Sequence, residues 1–260
     1  MSDNIRRFPL ALDSHLKLDD EVSALPPQPR PASPTMGSTL ADIGPVPREA
    51  LFLGVASDGL PVLLNLHDPA PGPMLVTGET GSGRTTFLHS IARSLVQTHQ
   101  PNDLQYGVVT SRLDEWGESG NTPHCAGIFS TNDASAQDLI HSMAAWAHEN
   151  KKVRQSLLLL VDDLEAIASL DFDALQDFRW LLARGPSRRV WPIITLDAER
   201  YGQVLAWIPI FRTRIFGRIK NERVANALGG DKTSALDTLE APCQFSLREN
   251  DAWIRFKLTG

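Results

Sequence analysis

PMLVTGETGSGRTTFL, residues 73–88, is the stretch on which the reading of this chain turns. Met74, Leu75 and Val76 form a short apolar run of the kind a buried strand supplies. The run ends in Gly78-Glu79-Thr80-Gly81-Ser82-Gly83, and Arg84, Thr85 and Thr86 lead into a segment with apolar residues at helical spacing. Strand, glycine loop and helix start together form the setting in which a backbone cradles phosphate. The glycines let successive N–H groups turn inward as an anion nest. The helix start adds unpaired N–H groups and the positive end of its dipole. The pattern G-x-x-x-x-G-K-[ST] is met at every place except Arg84, where lysine is expected. Gly78, Glu79, Thr80, Gly81, Ser82, Gly83, Arg84, Thr85 and Thr86 are therefore the candidate nucleotide-binding residues. The bland alternative is a structural turn of the same shape.

The second informative stretch is SLLLLVDD, residues 156–163. An unbroken apolar run implies a central parallel strand covered on both faces. It ends in two carboxylates. In nucleotidases with a phosphate loop, the loop hydroxyl ligates Mg²⁺, a carboxylate ending a neighbouring strand braces the metal, and a further acid orients the attacking water. On that logic Thr85 and Asp162 are the metal candidates and Asp163 is the candidate catalytic acid. The competing reading is two solvated loop acids, or a helix N-cap before Leu164. Asp163 is a methylene shorter than glutamate; Glu165 is a substitute, but reads more simply as a solvated helix face. Thr195 ends a later apolar run, VWPIIT, and is a candidate to hydrogen-bond the water or the γ-phosphate; an ordinary strand residue is the equal alternative. Arg212, Arg214, Arg218, Lys220 and Arg223 form a basic cluster, read as a finger reaching a neighbour's nucleotide, a DNA-backbone contact or a solvated face, the last being the commonest fate of such clusters.

Around these stretches, residues 1–45 read as a disordered Pro-rich tail and residues 46–260 as one ordered domain, with order beginning near Val46. The segment LPPQPRPASP at 25–34 cannot bury enough surface to offset its ordering entropy. Residues 8–12, FPLAL, are a candidate anchoring patch. Residues 51–56 and 61–66 flank Ser57-Asp58-Gly59 and read as a β-hairpin before the loop strand. Strands then alternate with helices from 73 to 228, which makes the core a mostly parallel α/β sheet. Pro192 is awkward for an inner strand. A second hairpin is expected around Glu249-Asn250-Asp251.

The chain has 260 residues, 42% hydrophobic and 22% charged, as in soluble globular proteins. Two distant cysteines argue against a disulfide framework or a zinc site, and His124-Cys125 reads as packing. The apolar run at 157–161 is far too short to span a bilayer, so no membrane insertion is expected. Without an apolar stretch after Arg6 and Arg7 there is no secretory signal, and the expectation is cytoplasmic. A net charge of −6 argues against a basic coat for nucleic acid. No N-K-x-D motif supports a GTPase, and no L-S-G-G-Q motif supports a transporter ATPase.

Taken together, these motifs resemble the FtsK/SpoIIIE–HerA branch of RecA-like P-loop motor ATPases. The resemblance runs through PVLLNLHDPAPGPMLVTGETGSGRTT, then LLLLVDD, RGPSRRVWPIIT, TRIFGRI and ALGG, and covers residues 50–260. It implies a RecA-like fold with helices on both faces of the sheet, ATP and Mg²⁺ as ligands, and a hexameric, DNA-associated motor. Three positions depart from the pattern: Arg84 for the loop lysine, Asp163 for glutamate, and Leu196 for glutamine. All three fall on groups that act in the transition state, where losing one electrostatic donor costs about 3 kcal/mol. The resemblance thus implies ATP binding more firmly than turnover. The second reading is a catalytically weakened nucleotide-binding module, structural or regulatory, that partners an active homologue in a secretion or conjugation machine.

Overall fold

The computed structural model describes residues 5–6, 35–150 and 154–260. The Pro-rich stretch at 25–34 and the patch at 8–12 lie outside them. Order begins earlier than Val46. β1 (Ile5–Arg6) is an edge strand that pairs antiparallel with the later strand at Pro61–Asn65, and α1 spans Met36–Ile43. Thr35 caps α1 by accepting from the Ser38 N–H, and the buried Met36 donates its N–H to the Gly260 carbonyl at 2.8 Å. Leu40 and Ile43 pack on Phe52 and Leu63. So short a helix is marginal alone; the tertiary packing that holds it leaves no local signature.

β2 (Ala50–Ala56) and β3 (Pro61–Asn65) form the hairpin expected before the loop strand, β4 (Met74–Gly78). α2 (Arg84–Thr98) follows the glycine loop. β5 (Leu104–Thr110), β6 (Cys125–Ser130) and α3 (Ala134–Glu149) come next, with a 3-10 stretch at Leu113–Gly120 between the two strands. β7 (Ser156–Asp162) is buried along its whole length. α4 (Phe172–Arg184) leads to β8 (Val190–Asp197), and β9 (Thr213–Phe216) to α5 (Glu222–Ala227). β10 (Gln244–Glu249) and β11 (Ala252–Lys257) make the terminal hairpin.

The eleven strands among the described residues join one sheet in the order β1-β3-β2-β11-β10-β9-β4-β8-β7-β5-β6. From β9 to β6 every pairing is parallel, and from β10 to β1 every pairing is antiparallel. β7 shows why its sequence is apolar without a break. Leu158 and Leu160 enter the core beneath α2, while Leu157, Leu159 and Val161 enter the core beneath α3 and α4. Both faces are covered, so both sets of alternate positions must be apolar.

Pro192 does lie in an inner strand, opposite Leu159 of β7. β4 joins β8 only from Ile193 onward. Pro192 therefore has a strand on one side, and its missing N–H interrupts no second ladder. β4 and β7 are not neighbours; β8 lies between them and carries Thr195 to the sheet's C-terminal edge between the glycine loop and Asp162.

Candidate nucleotide site

The loop closes tightly on itself. Ser82 donates its N–H to the Glu79 carbonyl at 3.0 Å, and Phe87 begins the helical ladder by donating to Gly83 at 2.8 Å. The N–H groups between them fall at the start of α2, where helix geometry supplies no partner. Gly83 has φ 95°, and a Cβ there would lie 1.9 Å from the Pro242 carbonyl oxygen. Only glycine fits at that point. Ser82 Oγ is buried, with no hydrogen-bond partner among the described residues.

Thr85 and Asp162 meet as the sequence implied. Thr85 donates from Oγ1 to Asp162 Oδ2 at 3.1 Å. Asp162 is only 1% exposed. Thr195 Oγ1 donates to Asp162 Oδ1 at 3.0 Å and accepts from the Asp163 N–H at 2.7 Å. Thr195 thus grips both aspartates from the strand between. In this structure its hydroxyl faces them, not an open phosphate position.

Asp163 is neither a solvated acid nor a side-chain cap. It precedes a 3-10 stretch at Leu164–Ser169, its side chain makes no capping bond, and its φ is 83°. Oδ1 is buried without a partner among the described residues. Burial, and then the neighbouring Asp162 charge, push its carboxyl above the usual range. Glu165 is not on a solvated face. Its side chain is 14% exposed and accepts from Arg200 at 3.4 Å, and burial followed by the Asp163 charge raises its carboxyl too.

Arg84 stands in the lysine position but is turned aside. It donates from Nη2 to Asp197 Oδ2 at 2.9 Å and from Nη1 to the Gly78 carbonyl at 3.2 Å. Thr80 donates to the same Asp197 oxygen at 3.0 Å. The Arg84 and Asp197 side chains are 13% and 11% exposed. Burial alone would raise the Asp197 carboxyl, but the Arg84 charge and the hydrogen bonds it accepts hold it below its ordinary value.

Two of these residues escaped the sequence. Asp197 ends the apolar strand VWPIITLD much as Asp162 ends SLLLLVD, so the signal was present. Arg112 gave none. It follows β5 by two residues and donates from Nη2 to Thr85 Oγ1 at 2.6 Å and to Asp162 Oδ2 at 2.7 Å. The basic cluster divides. Arg214 donates to the carbonyls of Leu228 and Ile208 at 2.9 and 3.1 Å, a bracing role. Arg218 pairs with Glu79 of the loop at 2.7 Å, with Lys220 further off at 3.8 Å. His124 is buried and lies 2.9 Å through Nε2 from the His99 carbonyl, in keeping with packing.

A hydroxyl and a carboxylate are suitable donors for Mg²⁺. The position between them is bridged by the Arg112 guanidinium, so the set as arranged fits an arginine and not a metal ion.

The profile of the NACHT domain matches residues 72–196, from just before β4 to the penultimate residue of β8, which is just under half of the chain. No curated protein matches in sequence. Among solved structures, EccC of Thermomonospora curvata (ATPases 2 and 3, in complex with a signal sequence peptide) is similar at 18% identity and TM-score 0.68. The match covers 91% of this chain and 45% of that one. EssC of Geobacillus thermodenitrificans (ATPases 2 and 3) is 16% identical with TM-score 0.70, over 90% of this chain and 48% of that one. The pCW3 conjugation coupling protein TcpA, in a monomer form with ATPγS, is 15% identical with TM-score 0.62, over 82% and 66%. The chain thus spans less than half of the EccC and EssC structures. At such identities the likeness shows the fold: a RecA-like P-loop NTPase fold on an open, mixed, mostly parallel sheet. No helix among the described residues is long and apolar enough to cross a membrane.

Proposed function

We propose that this chain binds ATP in the loop at residues 78–86 and turns it over slowly, as a structural or regulatory module beside an active homologue. Binding is supported by the juxtaposition of the loop hydroxyl with the buried strand-end carboxylate, Thr85 to Asp162 at 3.1 Å. Glycine amides and the start of α2 would hold the phosphates, and Arg84 is the nearest loop cation.

The observation that carries slow turnover is the posture of Arg84. Its guanidinium is held by Asp197 and the Gly78 carbonyl, where a motor would need a cation free to follow the γ-phosphate. Arginine keeps the charge, but its fork is broader than an ammonium and favours the planar carboxylate it has found. Asp163 stands where the motor pattern has glutamate, a methylene longer, and its Oδ1 is buried without a partner among the described residues. The structural neighbours include the cytoplasmic domain of a type VII secretion ATPase and a conjugation coupling protein. A role in an assembly of that kind, as a homo-oligomer or with an active partner, follows by analogy.

A hexameric DNA-associated motor is the second reading, favoured by the complete set of loop glycines and by Thr85 beside Asp162. ATP binding and turnover, with and without DNA, measured beside Arg84→Lys, separate the two. The proposal expects binding without appreciable turnover, and a gain of turnover in Arg84→Lys only when Arg112, which bridges Thr85 and Asp162, is replaced as well. DNA-stimulated hydrolysis by the unaltered protein would instead establish the motor.

A further inference from the structure

Resting on the triphosphate reading above, we infer that Arg112 takes the place of a divalent cation between Thr85 and Asp162, so that the site accepts a metal-free nucleoside triphosphate.

The geometry is specific. One nitrogen, Arg112 Nη2, lies 2.6 Å from Thr85 Oγ1 and 2.7 Å from Asp162 Oδ2. Those are the two side chains that would hold a Mg²⁺ in a phosphate-loop nucleotidase. A guanidinium nitrogen and a metal ion cannot both stand there.

Arg112 is fixed from several directions. β5 lies parallel to β7 with Thr110 opposite Asp162, which delivers residue 112 to the strand end. The Arg112 N–H donates to Thr110 Oγ1 at 3.0 Å, and Nη1 donates to Glu115 at 3.2 Å. The side chain remains 41% exposed, so a ligand in the loop has access to it.

Asp162, by contrast, is already fully engaged. Oδ1 accepts from Thr195 and Oδ2 accepts from Thr85 and Arg112. A carboxylate buried to that degree needs a permanent counter-charge. Arginine stays protonated at any physiological pH and does not depend on metal in solution. Arg112 also brings a guanidinium to the flank of the loop, beside Thr85. A triphosphate without its metal carries more negative charge than one with it, and the exposed part of the Arg112 guanidinium with the loop amides can meet that charge.

The test is the ATP dissociation constant, by calorimetry, in excess Mg²⁺ and in EDTA, for the full chain and for Arg112→Ala. The expected result is an unaltered protein whose affinity agrees between the two conditions within about threefold. Arg112→Ala should bind about tenfold or more weakly in EDTA and regain affinity with Mg²⁺. Arg112→Gln, which keeps the length and loses the charge, should behave as the alanine variant does and serves in its place if that one fails to fold. Affinity about tenfold or more tighter with Mg²⁺ in the unaltered protein would overturn the inference. So would variants that bind equally well in EDTA. Binding in neither condition would remove the triphosphate reading itself, a result distinct from binding that requires the metal.

Discussion

Asp163 and Asp197 lie near one another at the sheet edge and respond to pH in opposite senses. The Asp163 carboxyl is raised by burial, then by Asp162. Its charge opposes folding once the pH exceeds the unfolded value near ~4, and protonation removes that opposition. Asp163→Asn is expected to raise Tm at neutral pH, with the gain fading as the pH falls through the carboxylate range. A thermal melt series across pH checks this, and a lower Tm at pH 7 would contradict it. Asp197 is held low, chiefly by Arg84 against the burial that opposes it. Its contribution is present above the unfolded value and is lost as the pH falls through the folded one. Asp197→Asn is therefore expected to lower Tm at neutral pH and to lose little further in acid. The same substitution releases Arg84 toward the loop. ATP affinity should rise roughly fivefold, the equivalent of about 1 kcal/mol, by calorimetry. Unchanged affinity would show that Arg84 has no part in the competition between carboxylate and phosphate.

Among the elements, the glycine loop is held from two sides. Glu79 donates its N–H to the Arg218 carbonyl at 2.9 Å, and its carboxylate accepts from Arg218. The backbone at Pro242 presses on Gly83. The residues just before β10 therefore help shape the loop although they lie far along the chain. Gly83→Ala must relieve both a positive φ and a contact of 1.9 Å with a backbone oxygen. The expected cost is roughly 2–4 kcal/mol in denaturant unfolding. A neutral result would mean that the 240–243 segment moves freely away. The loop, β7 and the two hairpins were legible beforehand because each is written in a local pattern: glycine spacing, an apolar run, a turn between alternating residues. α1 was not, because Met36, Leu40 and Ile43 gain their stability from the Gly260 carbonyl and from Phe52 and Leu63. Pro192 misled for a similar reason. Its penalty depends on where β4 joins, which no window around residue 192 contains.

Across the whole molecule, the parallel and antiparallel halves of the sheet share the core beneath α2. The Phe87 ring of α2 lies 5.2 Å from that of Phe245 and 6.4 Å from that of Phe256, on β10 and β11. The helix that begins at the candidate phosphate site thus rests on the antiparallel half. The two halves are expected to unfold together, with coincident tryptophan fluorescence and far-UV transitions. Phe245→Ala should move both probes by about 3–5 kcal/mol; a shift in one probe alone would show two independent units. The sequence by itself determined the phosphate loop, the acid-ended central strand and the α/β layering, because backbone conformation and burial follow from residues close together in the chain. Only the tertiary structure decided which cation meets which carboxylate. Arg112 reaches Asp162 across 50 positions and Arg84 reaches Asp197 across 113. Those pairings depend on β8 entering between β4 and β7 and on β5 aligning with β7, and charge pairing is a matter of distance in space.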